Sequence, residues 1–161
     1  MALSVGDKLP GATFKVMTDD GLADMTTQDM FAGKTVAVFA LPGAFTPTCN
    51  ALHVPNFLGA LDALKAKGVD TVACISVNDA FVLDAWAKAT AADGKILFLA
   101  DGNAEFTKAA GFDFDASGNG LGIRSRRYAM VVEDGVVKVL NVEEAPKVVE
   151  ASSAEKLLEA L

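Results

Sequence analysis

Thr35-Val36-Ala37-Val38-Phe39-Ala40-Leu41 runs straight into Pro42-Gly43-Ala44-Phe45-Thr46-Pro47-Thr48-Cys49, and this stretch decides how the chain is read. Its first half is apolar, β-branched and short, the pattern of a strand buried on both faces. Pro42-Gly43 breaks that strand. Thr46-Pro47 then starts a helix: threonine suits the N-cap, and proline the first helical position, whose N–H has no partner in any case. Thr48 becomes the second helical residue and Cys49 the third, within reach of the capping Thr46 hydroxyl. Only a thiolate is a useful nucleophile. A free cysteine ionises near a pKa of about 8.5, and helix N-terminal N–H groups, the helix dipole or a nearby arginine bring such sites to about 3.5–7.5. The bland alternative is a buried cysteine acting as a small hydrophobe. Placement alone leaves both open.

Outward from this stretch the chain alternates strands and helices. Ala12–Met17 reads as a strand, Asp19-Asp20-Gly21 as a turn and Thr26–Phe31 as a short helical turn. After Cys49 a helical pattern runs through Phe57, Leu58, Leu61 and Leu64 to a stop at Gly68. Pro55 lies inside it, and its ring would meet the Ala51 carbonyl, so a kink is expected near residues 51–54. Val69–Val77 suits a central parallel strand, with Asn78-Asp79 capping a helix from Ala80 to about Ala91. Phe81, Val82, Ala85, Trp86 and Ala89 are assigned to its buried stripe, which makes Trp86 a core residue. Lys95–Ala100 reads as a strand and Ala104–Ala110 as a short helix. Gly111–Gly122 reads as a flexible loop, its glycines lacking any phosphate-binding spacing. Asp134-Gly135 between Tyr128–Glu133 and Val136–Val142 is a hairpin signal, and Ser152–Leu161 an amphipathic helix capped by Ser152 or Ser153. Strands linked by helices, with an antiparallel hairpin late in the chain, point to an α/β three-layer sandwich.

The 161 residues are expected to form a single domain, 1–161, with 52% apolar and 22% charged residues ordinary for a globular protein. A formal charge of −7 and a pI near 4.6 argue against nucleic acid or an anionic membrane as partner. No apolar run is long enough to span a membrane, and the N-terminus lacks a signal-peptide pattern. Two cysteines are too few for a disulfide-framed secreted fold. A cytoplasmic location is the default expectation, with a processed organellar form equally compatible.

Pro42, Thr46 and Cys49 spell P-x-x-x-T-x-x-C, and the fuller Pro-Gly-Ala-Phe-Thr-Pro-Thr-Cys continues to His53 and Pro55. This resembles the peroxiredoxins, in particular the peroxiredoxin-5 or type II subfamily. Val72-Ala-Cys-Ile-Ser-Val-Asn-Asp-Ala-Phe-Val82 and Arg124-Ser-Arg-Arg-Tyr-Ala-Met-Val-Val132 resemble the same subfamily, so the likeness covers nearly the whole chain. It implies a thioredoxin-like fold with a mixed sheet. It also implies a thiol-dependent peroxidase that reduces hydrogen peroxide and organic hydroperoxides through a Cys49 sulfenic acid. Glutaredoxin with glutathione, or thioredoxin, would return the thiol, with no metal or organic cofactor. A homodimer, paired through loops such as the Pro42–Phe45 turn, is implied as well.

The remaining candidates divide between chemistry and support. Arg124, Arg126 and Arg127 form a basic knot that could be a solvated face. An arginine entering the Tyr128 strand can instead aim a fork of donors into a pocket. The resemblance assigns the catalytic role to Arg127, with Arg124 supporting. Thr46, Arg127 and backbone N–H groups near Thr48 and Cys49 would stabilise charge building on the departing oxygen, and Pro42 would shield the sulfur from water and further oxidation. Cys74 reads as a buried core cysteine. By resemblance to plant and bacterial type II members it is also a candidate resolving cysteine, whose bridge to Cys49 would need local unfolding. The C-terminal resolving cysteine of animal-type members is absent. His53, the only histidine, is expected to support the site by packing and hydrogen bonding; two cysteines and one histidine fall short of a tetrahedral zinc set unless a carboxylate joins, and a thiol-protease pairing needs a base oriented by a third group, in a local geometry that Pro55 leaves open. Two rivals stand beside the peroxidase. Thiol–disulfide exchange lacks its C-x-x-C, and a non-enzymatic binding or chaperone module would carry an inert thiol.

Overall fold

A computed structural model describes residues 2–161. Its strands are β1 (Thr13–Thr18), β2 (Gly21–Thr26), β3 (Thr35–Leu41), β4 (Thr71–Ser76), β5 (Leu97–Ala100), β6 (Asp113–Asp115), β7 (Ile123–Ser125), β8 (Tyr128–Glu133) and β9 (Val136–Val142). The helices are α1 (Thr27–Phe31), α2 (Val54–Leu58), α3 (Leu61–Ala66), α4 (Ala80–Ala89), α5 (Glu105–Ala110) and α6 (Ala154–Glu159). Seven strands make one mixed sheet in the order β2-β1-β5-β4-β3-β8-β9. The β3, β4 and β5 trio is parallel, and the remaining pairs are antiparallel.

The apolar run read as a doubly buried strand is β3, at the centre of the sheet, where Val36 through Leu41 are all inaccessible to solvent. One face of the sheet packs Phe39, Cys74 and Val131 against Phe57 of α2, Leu64 of α3, Trp86 of α4 and Leu157 of α6. The other packs Val38, Ile75 and Met130 against Met30 and Phe31 of α1 and Phe106 of α5. Helices on both faces of a mixed sheet give the expected three-layer α/β/α sandwich of thioredoxin-like type. The Asp134-Gly135 turn joins β8 to β9 with both residues at positive φ, 48° and 78°, as a tight two-residue hairpin requires. Asp79 caps α4 by accepting from Val82 N at 2.8 Å, a contact worth about 1 kcal/mol. Ser153 caps α6 in the same way.

Four local expectations are corrected. Residues 21–26, left between a turn and a helix, form edge strand β2, paired with β1 from Thr13↔Thr26 to Thr18↔Gly21. The α4 stripe is displaced: Ala80, Leu83, Trp86 and Ala87 face the core, whereas Phe81 stands 65% exposed. The long helix to Gly68 is split at Gly59-Ala60 into α2 and α3, where glycine disfavours a continuous helix. The Gly111–Gly122 loop holds β6 and a 3-10 turn, Ser117–Asn119, and β6 pairs with β7 in a small hairpin.

Candidate active site

Two strand ends bring the chemistry together. β3 delivers the chain into the Pro42–Thr46 turn, and the antiparallel partner β8 begins beside it, with Tyr128 opposite Ala40. Arg127, one step before Tyr128, therefore lies next to the turn although it is distant in sequence. The turn is braced from two sides. Ala44 N donates to Asn78 Oδ1 at 2.9 Å, an oxygen that also accepts from Ser76 Oγ. Arg124 Nη1 donates to the buried Pro42 carbonyl at 3.1 Å while its Nε donates to Leu121 O. A Cβ on Gly43 would lie 2.2 Å from Arg124 Nη1, so glycine is what lets the guanidinium cross here.

The helix starts at Pro47, as read, but not with the expected cap: the Thr46 hydroxyl donates to Gly43 O at 2.6 Å. Cys49 through His53 then form a π-helical turn, closed by Val54 N donating to Cys49 O, before α2 begins. The break falls where a kink was expected, and it takes the form of a wider turn. Pro55 has no N–H to continue the α-helical ladder, and widening the preceding turn relieves the clash its ring would make. Thr48 sits half-buried at the start of this turn. Asn50 within it accepts from the Trp86 indole N–H at 2.8 Å, tying the turn to α4.

Cys49 is fully buried, and Arg127 Nη2 donates to its Sγ at 3.0 Å. Each side of the guanidinium is occupied: Nη1 is 2.6 Å from His53 Nδ1, and Nε donates to Pro146 O at 3.0 Å. Arg127 is itself only 2% exposed. His53 Nε2 lies 3.0 Å from Ser152 O. A carbonyl can only accept and a guanidinium can only donate, so the ring is neutral with its proton on Nε2. Burial, reinforced by the Arg127 charge, lowers the His53 pKa from 6.5 to about 3, against the opposing effects of the Ser152 hydrogen bond and Glu143. Phe39 and Phe57 flank the imidazole at 4.9 and 5.6 Å. His53 is thus hydrogen-bonded through both ring nitrogens and packed between two aromatic rings.

Cys74 lies mid-strand in β4, opposite Phe39 and fully buried in the core cluster that also holds Cys49. Burial, then the neighbouring Cys49, pushes its thiol well above the ordinary value, with Arg127 pulling the other way. Among the described residues no cluster of His, Cys, Asp or Glu suits a metal ion, and no helix is long and apolar enough to cross a membrane.

Sequence reasoning did not anticipate Asn78, Asn50, Glu143 or the carbonyls of Pro146 and Ser152. Asn78 was read as part of a helix cap, and the asparagine in the Cys49 turn gave no separate signal. The carbonyls belong to every residue and leave no signature.

The chain matches the Redoxin family over residues 4–158. It is 49% identical to "Peroxiredoxin-2E-2, chloroplastic" of Oryza sativa subsp. japonica, covering 99% of this chain and 72% of that protein. Among solved structures, reduced Prx3 of Vibrio vulnificus in complex with H2O2 is 51% identical, with a TM-score of 0.93 and 98% of each chain covered. Peroxiredoxin 5 of Alvinella pompejana is 34% identical at a TM-score of 0.86, covering 98% of this chain and 97% of that one.

Proposed function

Because the chain belongs to the Redoxin family as a peroxiredoxin of the type II, peroxiredoxin-5 kind, we propose that Cys49 is its peroxide-reducing sulfur. The protein is a thiol-dependent peroxidase, an enzyme and not a binding module. The observation that carries the Cys49 assignment is the guanidinium of Arg127, 3.0 Å from Sγ and held on its other sides by His53 and Pro146. A fixed positive fork beside a buried sulfur stabilises negative charge there, and a hydrogen bond to an ionised acceptor is about twice as strong as a neutral one.

In the proposed reaction the Cys49 thiolate attacks one peroxide oxygen. An S–O bond forms, the O–O bond breaks, and the departing oxygen leaves as hydroxide or alkoxide, taking a proton to become water or alcohol. Cys49 becomes sulfenic acid. Arg127 serves both the sulfur and the departing oxygen. The Thr46 hydroxyl, which donates to Gly43 O at rest, can exchange that acceptor for the peroxide. The buried Pro42 keeps water and a second oxidant from the sulfur. Arg124 braces the Pro42 turn, and Thr48 and His53 complete the wall.

We assign the return to thiol to outside thiols, glutaredoxin with glutathione or thioredoxin. One thiol condenses with the sulfenic acid, releasing water and leaving a mixed disulfide; a second frees Cys49 as a disulfide leaves. Burial supports this over Cys74, whose thiol is held protonated inside the central sheet. Pairing into a homodimer is supported by Phe45 and Phe81, 52% and 65% exposed on adjoining segments. We take residues 1–161 as one catalytic unit in a reducing compartment, the cytoplasm or an organelle reached by a processed form. Cys49→Ser is expected to abolish peroxide consumption with glutathione, glutaredoxin or thioredoxin; retained turnover refutes the assignment.

A further inference from the structure

Residues 143–153, between β9 and α6, contain neither strand nor helix, yet they supply two of the acceptors that hold the site. Pro146 O takes the Arg127 Nε proton and Ser152 O takes the His53 Nε2 proton, at 3.0 Å each. A segment without regular structure fixes nothing unless it is itself fixed. Among the described residues, one side chain besides Arg127 and His53 reaches into residues 146–152 by hydrogen bonding, and that is Glu143. Its Oε2 accepts from Glu150 N at 2.7 Å, Ser152 N at 2.7 Å and Ser152 Oγ at 2.6 Å. The same residue anchors the segment to the arginine's own strand, since Glu143 N donates to Arg127 O at 2.9 Å. Glu143 is 5% exposed. Burial would raise its carboxyl, but the hydrogen bonds from Ser152, Glu150 and Ala151 outweigh this and hold it below the usual carboxylate value.

We propose that Glu143 is a positioning residue for the peroxidase reaction, gathering residues 146–152 so that the Pro146 and Ser152 carbonyls lock Arg127 and His53 in place beside Cys49. The inference rests on the assignment of Arg127 to the reaction. Glu143 touches neither sulfur nor peroxide; it acts through the guanidinium. Without its charge the three donors face a weaker, neutral acceptor, the segment loosens, and the hold on the guanidinium's Nε partner and on the alignment of its Nη1 partner slackens. The sulfur then keeps an arginine nearby but not one held in a single geometry, and positional slack of this kind is costly to rate.

The test is a double-mutant comparison on the full chain, reading the second-order rate of Cys49 oxidation by hydrogen peroxide in stopped flow, with a thermal melt for each variant. Glu143→Gln keeps the side chain's shape and removes its charge. It is expected to slow oxidation by about tenfold in the wild-type background and by less than about twofold in the Arg127→Ala background, because a residue acting through Arg127 has nothing left to position. An unchanged rate in Glu143→Gln, or the same fold-loss in both backgrounds, overturns the proposal. An unchanged rate in Arg127→Ala alone overturns the assignment beneath it, which separates the two failures. Should Glu143→Gln fail to fold, Ser152→Ala, which removes one of the three donors, is read in the same two backgrounds against the same criterion.

Discussion

Lowering the pH should destabilise this protein through one histidine, by an amount the structure allows to be worked out. His53 is fully buried and accepts from Arg127 through Nδ1. Protonating it would turn that acceptor into a donor facing a guanidinium, in a site where burial already disfavours charge. Its pKa falls from 6.5 to about 3, so between those values the unfolded chain binds a proton that the native state refuses. Stability from this source is complete above pH 6.5 and is lost as the pH falls toward 3. At full protonation of the unfolded state the gap amounts to about 5 kcal/mol, and between pH 7 and pH 5 to about 2 kcal/mol. The assay is urea unfolding of wild type and His53→Gln at both pH values and one protein concentration. Glutamine can donate to Ser152 O and accept from Arg127 without titrating. Wild type is expected to lose about 2 kcal/mol more than His53→Gln over that interval. Parallel losses in the two proteins, or an NMR titration of native His53 with a midpoint near 6.5, would refute the reasoning.

Three further outcomes are expected. Cys74→Ser should keep peroxide turnover with glutathione as reductant while losing about 1–3 kcal/mol of stability, because it buries a hydroxyl where a thiol was held; loss of turnover in a folded variant would return Cys74 to the catalytic cycle. Phe81→Asp should convert the proposed homodimer to monomer in size-exclusion chromatography with light scattering without lowering its melting temperature, since the ring is 65% exposed; wild type and variant of equal mass would remove this face from the proposed pairing. Emission from Trp86, the only tryptophan, should change on oxidation of Cys49 and far less in Asn50→Ala, because Asn50 links the indole to the Cys49 turn; equal changes in both would show that the signal does not travel through that bond.

The central strand, the hairpin at Asp134-Gly135 and the helix start at Pro47 were legible because each rests on local chemistry: a β-branched apolar run, a turn needing positive φ, a proline with no N–H to lose. Arg127 beside Cys49 was legible only through resemblance, because strand pairing and not spacing unites them. β2 was missed because its half-exposed Gly-Leu-Ala-Asp-Met-Thr has little strand propensity and is made a strand by pairing with β1. The α4 stripe went wrong because apolar character alone does not fix which arc of a short helix faces the sheet: the smaller Ala80 and Ala87 pack inward with Leu83 and Trp86, and Phe81 turns to solvent. The Thr46 hydroxyl could serve a cap or a turn carbonyl, and only the path of the chain through Gly43 selects the carbonyl.

Gly43 and Arg124 lie far apart along the polypeptide, yet neither can be altered independently. A methyl at 43 would occupy the place of an arginine nitrogen, and the flexible guanidinium, not the backbone, would yield, giving up its hold on Pro42 O. Alanine at 43 therefore does its damage at a distance, and a shorter residue at 124 should make that alanine harmless to packing while leaving the turn unbraced. Randomising both positions together and selecting for peroxide resistance should thus return glycine with arginine as a linked pair, a mutual dependence that scanning either site alone would misread as two separate requirements.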